Sequence, residues 1–218
     1  MKKHRLLSLF LSFALLLPLF ASFSAEAYED FTLDARAGLL IEADTGEILY
    51  EKNAHQENYP ASLTKIMTAL LVFEAIDEGK LSLSDSVTAT ESAFEGLASD
   101  GSTADIVPGE TMTVEQLLNC MLIVSANETC NILGEYISGS VEAFVARMNE
   151  RASELGCEHT HFANATGLHN SQHYTTAWDL YLITREAMKH DKFMEICNSK
   201  SYTVPATNMT DKQPQSNM

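Results

Sequence analysis

An α+β fold is expected for this chain of 218 residues, and three observations predict it. Two strand-like segments, 37–43 and 47–52, flank the turn signal Asp44-Thr45-Gly46 and read as a hairpin. A helix apolar on most of its circumference opens near Ser62, and such a helix belongs in the centre of a domain. A long stretch, about 79–198, then carries helix signals with no further strand pattern. A pair of strands rarely stands alone, so the sheet is expected to be completed by strands beyond the helical stretch.

The elements follow in order. Residues 53–60 are polar and irregular, and Pro60 sets the entrance of the central helix. That helix carries Leu63, Ile66, Met67, Leu70, Leu71 and Phe73, and Gly79 ends it. Residues 84–110 are looser, with short helices or loops. Thr113 with Gln116 three residues on is a capping box for a helix through Leu117, Leu118, Met121 and Leu122. Ser125-Ala126-Asn127 breaks the pattern, and a second helix follows with Ile132, Leu133, Tyr136 and Ile137. Val141, Phe144, Val145, Met148, Ala152 and Leu155 keep strict helical spacing, and Gly156 is the expected C-terminal stop. A His- and Asn-rich loop covers 157–175. Thr176 with Asp179 then opens a helix through Leu180, Ile183 and Ala187. No internal repeat is present.

Composition narrows the function classes. Hydrophobic residues make up 45% of the chain, enough for a real core and too many for a disordered one. The net charge of -16 argues against nucleic-acid binding, which needs clustered Lys and Arg. The N-terminus carries Lys2, Lys3 and Arg5, then an uncharged run over 6–20, then Ala25-Glu26-Ala27. This reads as a secretory signal peptide over 1–27, cleaved before Tyr28. The run is short for a bilayer span and Pro18 interrupts it, so a retained anchor is the weaker reading. Cys120, Cys130, Cys157 and Cys197 fit no zinc spacing. An exported chain permits disulfides between them, but small buried residues in helices are the expected role.

Two short motifs carry chemistry. In Ser62-Leu63-Thr64-Lys65 the Ser and Lys share one helix face, and Ser62 sits where free N–H groups favour developing negative charge. A serine hydroxyl needs a base to become a nucleophile. A lysine serves once desolvation lowers its pKa. Alone, this pattern is better explained by a helix cap and a surface lysine. In Ser125-Ala126-Asn127 the hydroxyl can relay a proton and the amide can bond a lysine or a carbonyl. Alone, it is better explained by ordinary helix-breaking residues.

The combination resembles a family. Ser-x-x-Lys followed by Ser-x-Asn belongs to the motif set of penicillin-binding proteins and class A β-lactamases. Tyr59-Pro60-Ala61-Ser62-Leu63-Thr64-Lys65-Ile66-Met67-Thr68-Ala69 is similar to the nucleophile segment of D-Ala-D-Ala carboxypeptidases. Val114-Glu115-Gln116-Leu117-Leu118 leading to Ser125-Ala126-Asn127 resembles their second motif region. Asn164-Ala165-Thr166-Gly167-Leu168 and His173-Tyr174-Thr175-Thr176-Ala177 resemble their downstream loop and helix. The resemblance runs from about residue 30 to the end.

The resemblance implies a penicillin-binding (DD-peptidase) α+β fold, with a sheet region over 28–78, a helical region over 79–198, a return toward further strands over 199–218, and the site in the cleft between. It implies Ser62 as the nucleophile that forms an acyl-enzyme and releases D-alanine. Lys65 is its general base, Ser125 a proton relay to the leaving amine, and Asn127 the group orienting Lys65 and the substrate amide. The Ser62 N–H is one oxyanion donor. The implied substrate is a peptidoglycan stem peptide ending in D-Ala-D-Ala, with β-lactams as covalent inhibitors, no cofactor and no metal, on the wall face of the membrane. The family's Lys-Thr-Gly motif occurs nowhere in the sequence. The expectation is therefore that the chain stops before it, that the polypeptide as written is inactive or very weak, and that any membrane-binding helix lies beyond Met218. Two rivals are a serine β-lactamase, which needs a glutamate to activate the deacylating water, and a non-catalytic wall-binding homologue. His159, His161, His169 and His173 invite a metal reading, but the segment reads as a polar loop. Asn127-Glu128-Thr129, Asn164-Ala165-Thr166 and Asn208-Met209-Thr210 match the glycosylation pattern and are taken as coincidence. No paired carboxylates suggest a glycosidase.

Overall fold

A computed structural model describes residues 33–209 and the backbone of 214–216. The expected signal peptide, 1–27, lies outside the described residues. The chain divides into two units at Asp34/Ala35, and every element below belongs to the second.

The expected hairpin is present. Strand β1 (Gly38–Ile41) pairs antiparallel with β2 (Ile48–Lys52), Leu40 opposite Tyr50, with an irregularity between Leu40 and Ile41. Both strands are shorter than their sequence pattern because Glu42 diverts its end. The Glu42 carboxylate accepts from the Thr45 N–H and hydroxyl, both at 2.6 Å, and Gly46 takes φ +74° to close the turn.

The central helix begins later than expected. Ala61–Thr64 forms a 3-10 turn, and the α-helix α1 runs Lys65–Asp77. Ala61 has φ +49°, a left-handed conformation that no regular helix accommodates, so the α-helical ladder starts only after the turn. Helix α1 buries Met67, Ala69, Leu70, Leu71, Val72 and Phe73, and it touches all four long helices that follow. It stops as expected at Gly79, φ +70°. There the Lys80 N–H bonds the Ala75 carbonyl at 3.0 Å and the Gly79 N–H bonds that of Ile76 at 2.9 Å.

The looser stretch holds a sheet that the sequence pattern does not reveal. Strand β3 (Ser86–Thr88) pairs antiparallel with β4 (Thr111–Thr113), burying Val87 and Met112 on one side. Three residues per strand leave too little alternation to read. Thr113 then caps α2 (Val114–Ile123) in the predicted capping box: its hydroxyl accepts from Gln116 N–H at 3.2 Å, and Gln116 Oε1 accepts from Thr113 N–H at 2.8 Å. Helix α3 (Asn127–Ser138) ends on Gly139. Ser140 caps α4 (Val141–Glu154), which buries Phe144, Met148 and Ala152. Thr176 caps α5 (Ala177–Ala187) by accepting from Asp179 N–H at 3.0 Å. Helix α6 (Asp191–Cys197) leads to β5 (Ser201–Thr203), which pairs with β6 (Pro214–Ser216). All four cysteines are free thiols, three of them buried. Among the described residues no helix is long and apolar enough to cross a membrane.

Candidate active site

The site is assembled from three segments: the 3-10 turn with the first turn of α1, the break between α2 and α3, and the loop over 163–168. Ser62 lies on the exposed side of the turn. Lys65, three residues on, is only 3% exposed. Its Nζ lies 3.2 Å from Ser62 Oγ, 2.8 Å from Asn127 Oδ1 and 2.8 Å from the Thr166 carbonyl oxygen. An ammonium has three N–H donors, and three acceptors meet it.

Two of those acceptors cannot donate. Asn127 Oδ1, assigned as the amide oxygen because it faces Nζ, and the Thr166 carbonyl each require an N–H from lysine. When the amine is neutral its two N–H bonds stay on them, and its lone pair takes the remaining tetrahedral direction, toward Ser62 Oγ. The geometry therefore orients a base at a hydroxyl. Burial pushes the Lys65 pKa below the ordinary 10.5, outweighing the opposing negative charge. Of the two groups that could supply such charge, Cys130 has its thiol pushed up to about 12 by burial and is neutral near pH 7, which leaves the Glu128 carboxylate.

Asn127 is held by its place in the chain. Its N–H donates to the Ser102 carbonyl at 2.9 Å. The next residue, Glu128, is 3% exposed and accepts from the Thr103 hydroxyl at 2.8 Å and Ala104 N–H at 2.7 Å. Ser125 takes φ +60°, which reverses the chain between α2 and α3. Its Oγ is shielded from solvent and makes no hydrogen bond. The structure thus brings Ser62, Lys65 and Asn127 into one bonded set and leaves the Ser125 hydroxyl outside it.

The third segment supplies contacts to which the motif reading assigned no role. Asn164 shapes the loop: its Oδ1 accepts from Thr166 N–H and hydroxyl and from Gly167 N–H, and its Nδ2 donates to the Leu168 carbonyl. This presents the Thr166 carbonyl to Lys65 and the Ala165 carbonyl to the Thr68 hydroxyl, at 2.8 Å. Gly167, φ +89°, packs on the turn bearing Ser62, and a Cβ there would lie 1.8 Å from the Ala61 carbonyl oxygen. Only glycine allows that approach. The available signal was the Asn164-x-x-Gly167 spacing, which marks a turn built by an Asn side chain and closed by a glycine.

The histidines disperse. His159 Nδ1 lies 3.3 Å from Glu57 Oε1 at the surface, His161 Nδ1 meets the Gln172 carbonyl, and His169 packs edge-on against Tyr59. His173 is buried against the turn bearing Ser62, its Nε2 2.7 Å from Thr64 Oγ1. A cavity of about 700 Å³ between β1 and α5 contains none of these residues. Bonding geometry, rather than cavity size, locates the site.

A family model described as D-alanyl-D-alanine carboxypeptidase matches residues 23–218. The D-alanyl-D-alanine carboxypeptidase DacF of Bacillus subtilis is 41% identical over 172 residues, 79% of this chain and 43% of the relative. DacC of Escherichia coli is 37% identical over 174 residues, 78% of this chain and 43% of the relative. The chain thus spans less than half the length of these curated relatives. Among solved structures, penicillin binding protein 5 from Haemophilus influenzae superposes with a TM-score of 0.80 at 30% identity, covering 88% of this chain and 54% of that one. The Streptomyces K15 DD-transpeptidase gives 0.80 at 29% identity, covering 87% and 76%.

Proposed function

The chain belongs to the D-alanyl-D-alanine carboxypeptidase family, and from that premise we propose that it supplies the nucleophile and base of a serine acyl-transfer enzyme acting on peptides ending in D-Ala-D-Ala. The observation that carries this reading is the buried Lys65 Nζ, tied to two obligate acceptors and aimed at Ser62 Oγ.

In the proposed reaction neutral Lys65 removes the Ser62 hydroxyl proton as Oγ attacks the carbonyl carbon between the two D-alanines. The Ser62 N–H donates to the developing oxyanion. The C–N bond breaks, and the departing amine receives the proton from Lys65 through the Ser125 hydroxyl. Water then cleaves the Ser62 ester and frees the shortened peptide. Asn127 keeps Lys65 oriented and offers its amide to the substrate. Ser125 suits the relay because its Oγ is close in sequence to Asn127, shielded from water and uncommitted to any other bond. A β-lactam, whose strained amide resembles the scissile bond, would acylate Ser62 in the same way. Such a substrate places the protein on the wall face of the membrane, in keeping with the secretory signal read at 1–27.

The test is covalent labelling of the full-length protein with a fluorescent penicillin, followed by peptide mapping. The label is expected on Ser62, absent in Ser62→Ala, and slow to leave. Label on another residue contradicts the nucleophile. Rapid loss of the label would instead indicate a β-lactamase.

A further inference from the structure

The nucleophile turn depends on a buried side chain that the proposed chemistry does not use. His173, at the start of the segment entering α5, is 2% exposed and lies edge-on to Phe162. Its two ring nitrogens have different partners. Nδ1 lies 3.1 Å from the Ala163 backbone nitrogen, which can only donate. A neutral ring accepting at Nδ1 carries its proton on Nε2. The Thr64 hydroxyl, 2.7 Å from Nε2, therefore accepts from it. Thr64 is itself fully buried and immediately precedes Lys65.

We propose that His173 is a positioning residue: by accepting from Ala163 N–H and donating to Thr64, it locks the turn bearing Ser62 to the loop whose Thr166 carbonyl holds Lys65. The inference rests on the acyl-transfer reading of Ser62 and Lys65 and assigns that site a further member. Its force lies in where the two anchors fall. Thr64 stands between Ser62 and Lys65, and Ala163 stands three residues before Thr166, so the imidazole spans the two halves of the site. Two further contacts join the same segments, Thr68 to the Ala165 carbonyl and Gly167 against Ala61. Asn127 and Thr166 hold the lysine amine, but without the imidazole bridge the turn bearing Ser62 loses a fixed tie to the loop bearing Thr166, and a small misplacement of reacting groups is costly in rate. The ring is a rigid two-ended spacer. Its burial holds the pKa down at about 4, so it stays neutral and keeps one donor and one acceptor across the physiological range.

Three measurements test this. In the wild-type chain, long-range ¹H–¹⁵N correlation spectra should show His173 as the neutral Nε2–H tautomer at pH 7. An Nδ1–H tautomer or an imidazolium overturns the proposal whatever the protein's activity. The second is penicillin acylation of the full-length protein, resolved into reversible binding and the bond-forming step. His173→Asn keeps an acceptor for Ala163 but loses the donor to Thr64, and Thr64→Val loses the acceptor. Each should slow bond formation roughly tenfold or more with reversible affinity unchanged within about threefold, and the double variant should be no slower than the worse single. His173→Gln, which can place a donor near Thr64, should recover most of the rate. Additive losses, or losses that appear in binding alone, contradict the proposal. The third covers a variant that fails to fold and a wild type that is not labelled: the Lys65 ¹⁵Nζ signal in the chain should shift in Thr64→Val, which removes a single hydroxyl. An unchanged Lys65 signal there overturns the bridge. Absent labelling of Ser62 in wild type counts against the acyl-transfer reading, while the tautomer and the Lys65 signal still judge the bridge.

Discussion

Replacing Lys65 with arginine separates charge from basicity. A guanidinium keeps the positive charge and the donors, but it does not deprotonate in a protein. Lys65→Arg is therefore expected to slow penicillin acylation of Ser62 by at least about 100-fold, the lower range for loss of a general base. In the wild type, acylation should rise with pH through an apparent pKa below 10.5, since burial depresses Lys65 and the proposed reaction uses the neutral amine. Stopped-flow acylation against pH checks both outcomes; a Lys65→Arg variant with a near wild-type rate contradicts them. At this scale Ser62, Lys65 and Asn127 were legible because their side chains carry the motif. Thr166 was not, because it contributes a backbone carbonyl, which no residue type advertises. His173 was read as one of a cluster of loop histidines. Its partner Thr64 is 109 positions away in sequence, and local spacing cannot report so distant a bond.

Between elements, the contact of α3 with α4 pits helix propensity against packing. Gly134 lies in the middle of α3, where alanine would ordinarily gain about 1 kcal/mol. A Cβ at that position would sit 3.0 Å from both Cγ and Cδ1 of Phe144, whose ring is fully buried and would have to shift. Overpacking of this kind costs about 1–3 kcal/mol, so the packing loss prevails. Gly134→Ala should be less stable than wild type by about 1 kcal/mol in urea unfolding, and a more stable variant contradicts the close packing. Helices and their caps were the most legible elements. Thr113 with Gln116, Thr176 with Asp179, Gly79 and Gly156 all mark ends that the structure has within a residue or two. The β3–β4 pair escaped notice because its strands are three residues long. The start of α1 was misplaced because the positive φ of Ala61, which breaks the ladder, is not a property of alanine. It is imposed by the turn, onto which Gly167 packs.

For the molecule as a whole, the central position of α1 followed from its all-round hydrophobicity, and it has a consequence for acid stability. The turn at the head of α1 is bonded to a neutral, buried His173, whose pKa is lowered to about 4, first by desolvation and then by the charge of nearby His161. The unfolded chain binds a proton at this residue near 6.5, the folded chain only near 4. The native state therefore loses stability as pH falls from 6.5 toward 4, by up to about 3 kcal/mol. Glutamine does not titrate, so the stability difference between wild type and His173→Gln should shrink across that window. Urea unfolding of both proteins at several pH values between 7 and 4.5 checks this, and a constant difference contradicts it. The net charge of -16 is common to both proteins and cancels in the comparison. The hairpin was legible from its two strand-like segments and the turn chemistry between them. Leu40 and Leu49, about half exposed on it, have no such signature, because exposure depends on what packs alongside.

The most direct measurement is the titration of Lys65 itself, followed through its ¹⁵Nζ and ¹³Cε resonances. An amine buried against Asn127 and Thr166 should lose its proton at a pH clearly below 10.5. A midpoint at or above 10.5 would leave Ser62 with a permanently protonated neighbour and no base.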